Sequence, residues 1–375
     1  MNPHRRAWLL ALPSLAAGSA AAQALDAGRR DRDEDRIQRG RTLRFPRDHG
    51  AHPGSRTEWW YATGWLRTAG DDALLGFQVT FFRSRTGLAA GHPSRFAARQ
   101  LLFAHAAVTD PARGLHRHAD RLARWSGSED AALRSRAALT DTDVALDGWR
   151  FTRRAAEGGR YDGLVESGDF RLELQLAPTQ PLLLQGDAGF SRKGPEESQA
   201  SHYYSQPQLA TRARVVIDGR ARDATGRAWL DHEWSEELLH PQAVGWDWIG
   251  INLDDGRALT AFRLRRADGS ALWAGGSLRA PGGAVQVFGP DSVRFTPGRR
   301  WRSPGSNASY PVEWQVETPA GRFGVRTLMD AQELDGRAST GTVYWEGLSE
   351  LLDGAGRRVG LGYLEMTGYA GTLRL

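Results

Sequence analysis

Two short segments past the middle of the chain place carboxyl groups among tryptophans. "WLDHEW" contains Asp231, His232 and Glu233, and "GWDWIG" holds Asp247 between two tryptophans. A carboxyl group that packs against tryptophan and is shielded from water favours its neutral form, so its pKa rises and it can act as a general acid. We therefore predict Asp231, His232 and Asp247 as catalytic residues, with either aspartate as the acid and the histidine orienting water or carrying the proton.

The position of these groups depends on the strand that carries them. If "WLDHEW" is extended, its side chains point alternately to two faces. Asp231 and Glu233 then share one face with Trp229, while His232 and Trp234 share the other. The segment thus divides its possible chemistry between two different environments.

A third aromatic segment, "EWWYATGWL", begins at Glu58 and has aromatic residues on both faces when it is read as a strand. Such a strand is typical of a boundary between a filled core and a lined cavity. For the carboxylates and aromatics of these segments, the alternative is a structural role in an ion pair or a core. We predict seven substrate-binding residues: Glu58, Trp60, Tyr204, Trp234, Trp246, Trp248 and Glu346.

The sequence lacks the common catalytic signatures. It contains no Gly-x-Ser-x-Gly elbow and no glycine-rich phosphate loop. His232 and Glu233 begin a zinc-helix pattern, but Glu236 stands where the second histidine would be. Ser201 and His202 are adjacent, and neighbours in a strand point to opposite faces. We therefore predict no metal site and no cofactor, with a metal site assembled from residues distant in sequence as the alternative.

The elements that position these residues are predicted to be mainly β. Frequent Gly and Asp-Gly turns separate short alternating runs, and Asp255-Gly256 is typical of a hairpin turn. Two rounds of such runs predict tandem antiparallel barrels, over residues 45–225 and 226–375. The best helix candidate, 131–139, could equally be a loop. Strands are predicted over Glu58–Arg67, Ala73–Phe82, Gln100–Thr109, Phe170–Leu176 and Arg212–Ile217.

The N-terminus has the pattern of an export signal. Two arginines precede an apolar run that ends in a small-x-small site, which predicts a signal peptide over 1–24 with cleavage near Ala24. The arginine pair fits a twin-arginine signal as well as an ordinary one, and a membrane anchor is disfavoured by Pro13 and the short run. Residues 25–44 are predicted to be a flexible leader. The mature protein is thus expected to be periplasmic or secreted, and a chain without cysteine suits that environment.

The charge pattern argues against nucleic-acid binding. The net charge of +5 is scattered among acidic residues, and Lys193 is the only lysine. Without a basic stripe, no nucleic-acid partner is predicted.

The blocks "HPGSRTEWWYATGWL", "QLLFAHAAVTD", "AWLDHEW", "GWDWIGINLDDG", "YWEG" and "GYLEMTGY" resemble those of secreted proteins related to carotenoid 1,2-hydratase, or hydroxyneurosporene synthase. The resemblance extends from about His52 to Gly368. It implies two tandem lipocalin-like barrels and a cofactor-independent addition of water to an acyclic carotenoid. The family histidine and tryptophan of the "DHEW" block correspond to His232 and Trp234. The family tyrosine and aspartate on a following strand have no counterpart in "ALTAFRLRR", so Asp231, Glu233 or Asp247 would have to supply the proton.

Two functions of different kinds follow from these residues. The first is an exported, cofactor-independent hydratase or hydrolase-like enzyme that acts on a long hydrophobic substrate. The alternative is a lipocalin-like carrier of a lipid or other hydrophobic ligand, without catalysis. The ligand's identity, contact with a membrane surface and the oligomeric state are left open by the sequence.

Overall fold

The computed structural model describes residues 35–372, except 89–97, 129, 131 and 238. The predicted signal peptide and the first part of the predicted leader, through residue 34, lie outside the described residues. Antiparallel strands dominate, which confirms the mainly β fold class. Within the described ranges the helical segments are four short 3-10 turns, at Arg47–His49, Pro111–Arg113, Ala155–Glu157 and Pro290–Ser292. No helix in this part of the chain is long and apolar enough to cross a membrane.

The first sheet contains 13 strands and curls into a nearly closed barrel. Its order is β4-β3-β2-β1-β13-β12-β9-β8-β7-β6-β5, and β10 and β11 pair with β12. The strands are β1 (Thr57–Thr68), β2 (Leu74–Arg85), β3 (Gln100–Asp110), β4 (Leu115–Trp125), β5 (Ser135–Ala137), β6 (Asp143–Leu146), β7 (Trp149–Arg154), β8 (Arg160–Glu166), β9 (Phe170–Ala177), β10 (Leu183–Leu184), β11 (Phe190–Arg192), β12 (Ala200–Ile217) and β13 (Arg220–Ser235).

The second sheet contains 10 strands in the order β17-β16-β15-β14-β25-β24-β22-β21-β18, with β23 paired to β24. A small separate hairpin joins β19 to β20. The strands are β14 (Gly245–Leu253), β15 (Ala258–Arg265), β16 (Ala271–Arg279), β17 (Val285–Phe288), β18 (Arg294–Pro297), β19 (Arg300–Arg302), β20 (Ser309–Pro311), β21 (Glu313–Thr318), β22 (Gly321–Thr327), β23 (Glu333–Gly336), β24 (Thr342–Leu352) and β25 (Arg358–Met366).

Each barrel has its own apolar core, built by alternate residues of its strands. In β1, Trp60 and Leu66 belong to the first core, and in β14 Ile249 and Ile251 belong to the second. The predicted strands in both series are present, and the Asp255-Gly256 turn joins β14 to β15 as expected. The left-handed φ of Gly256, +85°, suits the residue at that turn.

The structure revises three details of the sequence interpretation. Residues 131–139 form no α-helix in their described part, where β5 pairs with β6. The predicted boundary at 225/226 falls inside β13, whose pairing with β1 keeps it in the first sheet to Ser235. The described end of the predicted flexible leader packs on the first barrel, because Asp35 and Leu43 are buried.

The barrels face each other through the outer surfaces of β1, β13, β14 and β25. A bulge in β12 gives Gln208 a left-handed φ of +59°, and its backbone N–H donates to Asn252 Oδ1 at 2.8 Å. Asn252 Nδ2 in turn donates to the carbonyl of Ala228 at 3.1 Å. On the opposite side, His105 Nδ1 and the Tyr344 hydroxyl are 2.7 Å apart. These bonds fix the space between the barrels.

Candidate active site

A cleft of about 130 Å³ lies between the outer faces of the two barrels. Mainly odd-numbered residues of β1 and β13 line one wall, and residues of β14, β15, β24 and β25 line the other. Six residues with carboxyl side chains belong to this lining: Glu58, Asp231, Glu233, Glu237, Glu346 and Glu365. Trp246 and Trp248, predicted to bind substrate, also line it. The cleft therefore combines apolar aromatic walls with acidic groups.

Asp231 is the best-connected carboxyl group of the cleft. The Tyr203 hydroxyl donates to its Oδ2 at 2.8 Å, while Trp229 Nε1, at 2.6 Å, and the Ser205 hydroxyl donate to Oδ1. Burial raises the pKa of Asp231 to about 7, against the opposing effect of these donors. Both charge states are thus populated near neutral pH, as a group that transfers protons requires.

Glu346 and Glu365 form a second acidic centre in the cleft. They lie directly opposite each other on β24 and β25. Burial, and then the charge of Glu365, raise the pKa of Glu346 well above its ordinary range, and burial also raises the pKa of Glu365. Adjacent carboxylates in a buried site do not both ionise readily, so the pair holds a proton at neutral pH. Glu346 Oε1 is buried without a hydrogen-bond partner among the described residues, which leaves that atom free to contact a ligand.

The only lysine of the chain lies at the end of the cleft. Lys193 Nζ is 3.0 Å from Glu233 Oε1, and the Ser201 hydroxyl donates to the same oxygen. The ammonium group also lies 4.6 Å from the ring centroid of Tyr203 and 4.5 Å from that of Phe262. Glu233 is therefore compensated by a cation, unlike Glu346.

The opposite face of β1 and β13 carries a different polar cluster, inside the first barrel. Glu58 Oε2 accepts from Arg83 Nε at 2.7 Å, and Glu58 Oε1 lies 2.7 Å from His52 Nδ1 and 2.9 Å from His232 Nε2. Burial favours the neutral acid, but Arg83 and His52 outweigh it and hold the pKa of Glu58 well below its ordinary range. Trp60 stacks on the His232 ring at 4.7 Å. The predicted pair of Asp231 and His232 is therefore separated by the sheet.

The cluster continues beyond the histidines. His52 Nε2 is 3.1 Å from Asp48 Oδ1, and the ring stacks on Trp234 with centroids 3.7 Å apart. The Tyr204 hydroxyl bridges His232 Nδ1, at 3.1 Å, and His49 Nδ1, at 2.8 Å. Tyr204, Trp60 and Trp234 thus pack around this cluster and not in the cleft.

Three of these side chains have the right types to hold a metal ion. The ligand atoms of His52, Glu58 and His232 all lie within 4.8 Å of one another. Each is already engaged in hydrogen bonds, and Arg83 places a positive charge on the same carboxylate. A divalent ion would have to compete with that guanidinium, so the donor set fits an internal ion pair better than a metal.

Asp247 also lies outside the cleft. It sits on the inner face of β14, directly opposite Arg263, whose Nε donates to Asp247 Oδ2 at 2.7 Å. The Tyr369 hydroxyl donates to Oδ1 at 2.8 Å. This predicted acid is therefore paired inside the second barrel, where it has no access to a ligand in the cleft.

Of the predicted site residues, the structure brings Asp231, Trp246, Trp248 and Glu346 together in the cleft. Glu58 also borders the cleft, but its carboxylate is bonded to Arg83 and His232. Sequence reasoning did not select Glu365, Tyr203 or Lys193. Glu365 shares a block with aromatics and pairs with Glu346, but only the strand register shows that pairing. For Lys193 the sequence offered one indication of a special role: it is the one lysine among 49 lysine and arginine residues.

A family model described as AttH-like matches residues 36–369. The chain belongs to the AttH-like family. A crystal structure of a "putative AttH" from Nitrosomonas europaea superimposes with a TM-score of 0.81 and 47% sequence identity, over 89% of this chain and 99% of that one. None of the curated proteins matches.

Two more distant structures share the fold of this AttH-like chain. Kievitone hydratase from Nectria haematococca gives a TM-score of 0.68 at 13% identity, over 88% of this chain and 94% of its own. CghA gives 0.51 at 13% identity, over 83% and 88%. These matches confirm the tandem lipocalin-like fold, which a hydratase shares, while activity on carotenoids stays a prediction.

Proposed function

We propose that this AttH-like protein is a hydratase-type enzyme that uses acid–base chemistry on a hydrophobic substrate in the cleft between its barrels. One observation carries the proposal. An apolar cleft holds two acidic centres with raised pKa values, Asp231 and the Glu346–Glu365 pair. Carboxyl groups that exchange protons near neutral pH, in a site shielded from water, are what addition of water to a carbon–carbon double bond requires.

The two centres suit different steps of one addition. Glu346 donates its proton to one alkene carbon, and the π electrons form the new C–H bond and leave a carbocation on the other carbon. Water forms a C–O bond there and releases a proton to the carboxylate of Asp231. A return of that proton to Glu346 restores the enzyme, and the reverse sequence eliminates water. The faces of Trp246 and Trp248 would stabilise the cation.

Tyr61 is placed to connect these two centres. It lies directly opposite Asp231 on β1, and its side chain lines the same cleft as Glu346. Its buried hydroxyl has no hydrogen-bond partner among the described residues, so it is available to bond a water or ligand between the two centres. Burial, and then the charges of Glu346 and Glu365, raise the pKa of Tyr61 well above its ordinary range, so the hydroxyl keeps its proton. A neutral hydroxyl between a base and an acid can relay the returning proton.

The substrate is expected to carry an alkene in an apolar framework. Kievitone hydratase and the CghA crystallised with Sch210972 share the fold, which is compatible with small organic substrates. An acyclic carotenoid is the specific candidate from the sequence resemblance. The resemblance calls for a tyrosine and an aspartate on the strand that is β15 here, and the residues of β15 that line the cleft are Phe262 and Leu264. On our proposal, carboxyl groups from β13, β24 and β25 replace that missing donor.

The proposed cellular setting is the periplasm or the exterior, on the basis of the N-terminal arginines and apolar run. The expected partners are the small hydrophobic substrate and water. The resemblance implies no cofactor, and the proposed addition uses this chain's own carboxyl groups.

The test is incubation with isoprenoid alkenes, including an acyclic carotenoid, in heavy-oxygen water, followed by mass spectrometry. A product that is heavier by one labelled water is expected from the native protein, and Asp231→Asn and Glu346→Gln should each abolish it. Asp247→Asn, which should destabilise the fold without changing the cleft, serves as the control for activity lost through instability alone. Ligand that is bound but never altered would reject the enzyme and support the carrier.

A further inference from the structure

A second cavity, of about 390 Å³, adjoins the cleft. We call it the side chamber. It lies between β11 and β12 of the first barrel and β15, β16 and β17 of the second. Tyr203 and Phe262 border both the cleft and the side chamber, and Lys193 stacks on both rings. These three side chains form the neck between the two spaces.

The volumes of the cleft and the side chamber indicate which part of a long ligand each of them can hold. The cleft, at about 130 Å³, resembles the engineered cavity of roughly 150 Å³ that binds benzene. Pockets for larger organic ligands span roughly 300–1,000 Å³. The side chamber, at about 390 Å³, reaches that range while the cleft does not. A long substrate with its reacting carbons in the cleft would therefore need additional space for the rest of its length.

The side chamber offers this space with an apolar lining. Phe190, Phe262, Trp273 and Val287 contribute aromatic and aliphatic surface. Gly275 leaves room at the neck, because a Cβ there would lie 3.1 Å from two Phe262 ring atoms.

The polar groups around the side chamber are already paired within the protein. Gln185 Nε2 donates to the Ser205 hydroxyl and Gln185 Oε1 accepts from Ser277, both at 2.8 Å. Arg39 at the rim pairs with Asp187 and Glu197. With its polar groups satisfied in this way, the chamber is suited to hydrocarbon and not to an anion or a sugar.

We propose that the side chamber binds the apolar tail of the substrate whose reacting double bond lies in the cleft. The substrate class is thus an elongated molecule with a hydrocarbon chain that passes the neck at Phe262. The inference rests on the proposed function for the position of the reacting bond, while tail binding can be measured without turnover.

The experiment measures displacement of the neutral fluorophore N-phenyl-1-naphthylamine by primary straight-chain alkanols, from hexanol to dodecanol. For the native protein, Kd should fall about fourfold with each methylene buried in the side chamber. Gly275→Val should raise the Kd of dodecanol at least tenfold and that of hexanol less than twofold. The matched control is Gly324→Val on β22, where a Cβ would meet Leu352 at an ordinary 3.4 Å; it should bind both alcohols as the native protein does.

A second variant, Val287→Trp, tests the side chamber in case Gly275→Val does not fold. Val287 is half exposed at the chamber's border, so Val287→Trp should fold and also weaken dodecanol selectively. Native-like dodecanol binding in both variants, or equal losses for short and long alcohols, would overturn the proposal. Asp231→Asn should keep the chain-length dependence. If the native protein shows the chain-length dependence but no turnover of any alkene, the hydratase alone is rejected. If the native protein turns over an alkene but shows no chain-length dependence, the side chamber alone is rejected.

Discussion

Replacing Asp231 with asparagine should stabilise the protein at alkaline pH and leave its stability nearly unchanged at pH 4. The carboxyl is buried between Tyr203, Ser205 and Trp229, and its pKa is raised from 3.8 to about 7. A folded-state pKa above the unfolded value means that the native protein binds the proton more tightly. Its stability therefore falls as pH rises from about 4 to about 7, where the native carboxyl ionises.

The magnitude follows from the same values. At 1.36 kcal/mol per pKa unit, the interval from 3.8 to about 7 amounts to roughly 4 kcal/mol, fully expressed above pH 7. Asparagine has the same shape, its oxygen can still accept from Trp229 Nε1, and it carries no charge. The variant should thus exceed the native protein by up to about 4 kcal/mol at pH 9 and match it near pH 4.

The assay is urea denaturation followed by tryptophan fluorescence at several pH values from 4 to 9. Asp247→Asn is the control, because it leaves Arg263 buried without its partner and should destabilise the fold across the range. A difference between Asp231→Asn and the native protein that does not change with pH would refute the reasoning, as would a less stable variant at pH 9. Asp231→Asn should also have no hydratase activity, so the same substitution would increase stability at alkaline pH and abolish function.

Three further outcomes are expected. Arg83→Met, which leaves Glu58 buried without its guanidinium, should cost about 3–5 kcal/mol in urea denaturation, and a loss below 1 kcal/mol would contradict the ion-pair account. Burial lowers the pKa of His105 from 6.5 to about 4, so acidification over that interval should destabilise the native protein. His105→Gln, which can still bond Tyr344, should reduce this acid-induced loss of stability by about 3 kcal/mol. If stability depends on pH in the variant as it does in the native protein, His105 is not the cause of the loss. Turnover should peak near neutral pH because Asp231, the proposed base, ionises at about pH 7. Any activity left in Glu346→Gln should no longer fall at alkaline pH, because the acid that loses its proton there is gone. If the alkaline fall persists in that variant, the proton donor is a group other than Glu346.

The sequence predicted the fold class and the division of "WLDHEW" between two faces, because both depend on local alternation. Asp231 and Glu233 line the cleft while His232 faces the first barrel, as the spacing requires. The sequence could not identify which face was the cleft, since that depends on how the two barrels pack. It therefore grouped Asp231 with His232, although the sheet separates them.

The fate of each buried carboxyl depends on the residue directly opposite it in the neighbouring strand. Glu58 lies opposite Arg83 and Asp247 opposite Arg263, and both are fixed in ion pairs within a barrel. Glu346 instead lies opposite another glutamate, Glu365.

Asp231 follows the same rule, since its opposite neighbours are Tyr61 and Ser205, which are uncharged at neutral pH. Without a cation opposite, burial dominates, and these acids keep their protons into the neutral range. Strand register thus separates structural carboxylates from reactive ones in a chain rich in arginine. Placing an arginine opposite a cleft acid, by Tyr61→Arg, should accordingly convert Asp231 into a fixed, ionised partner and abolish turnover while the fold persists.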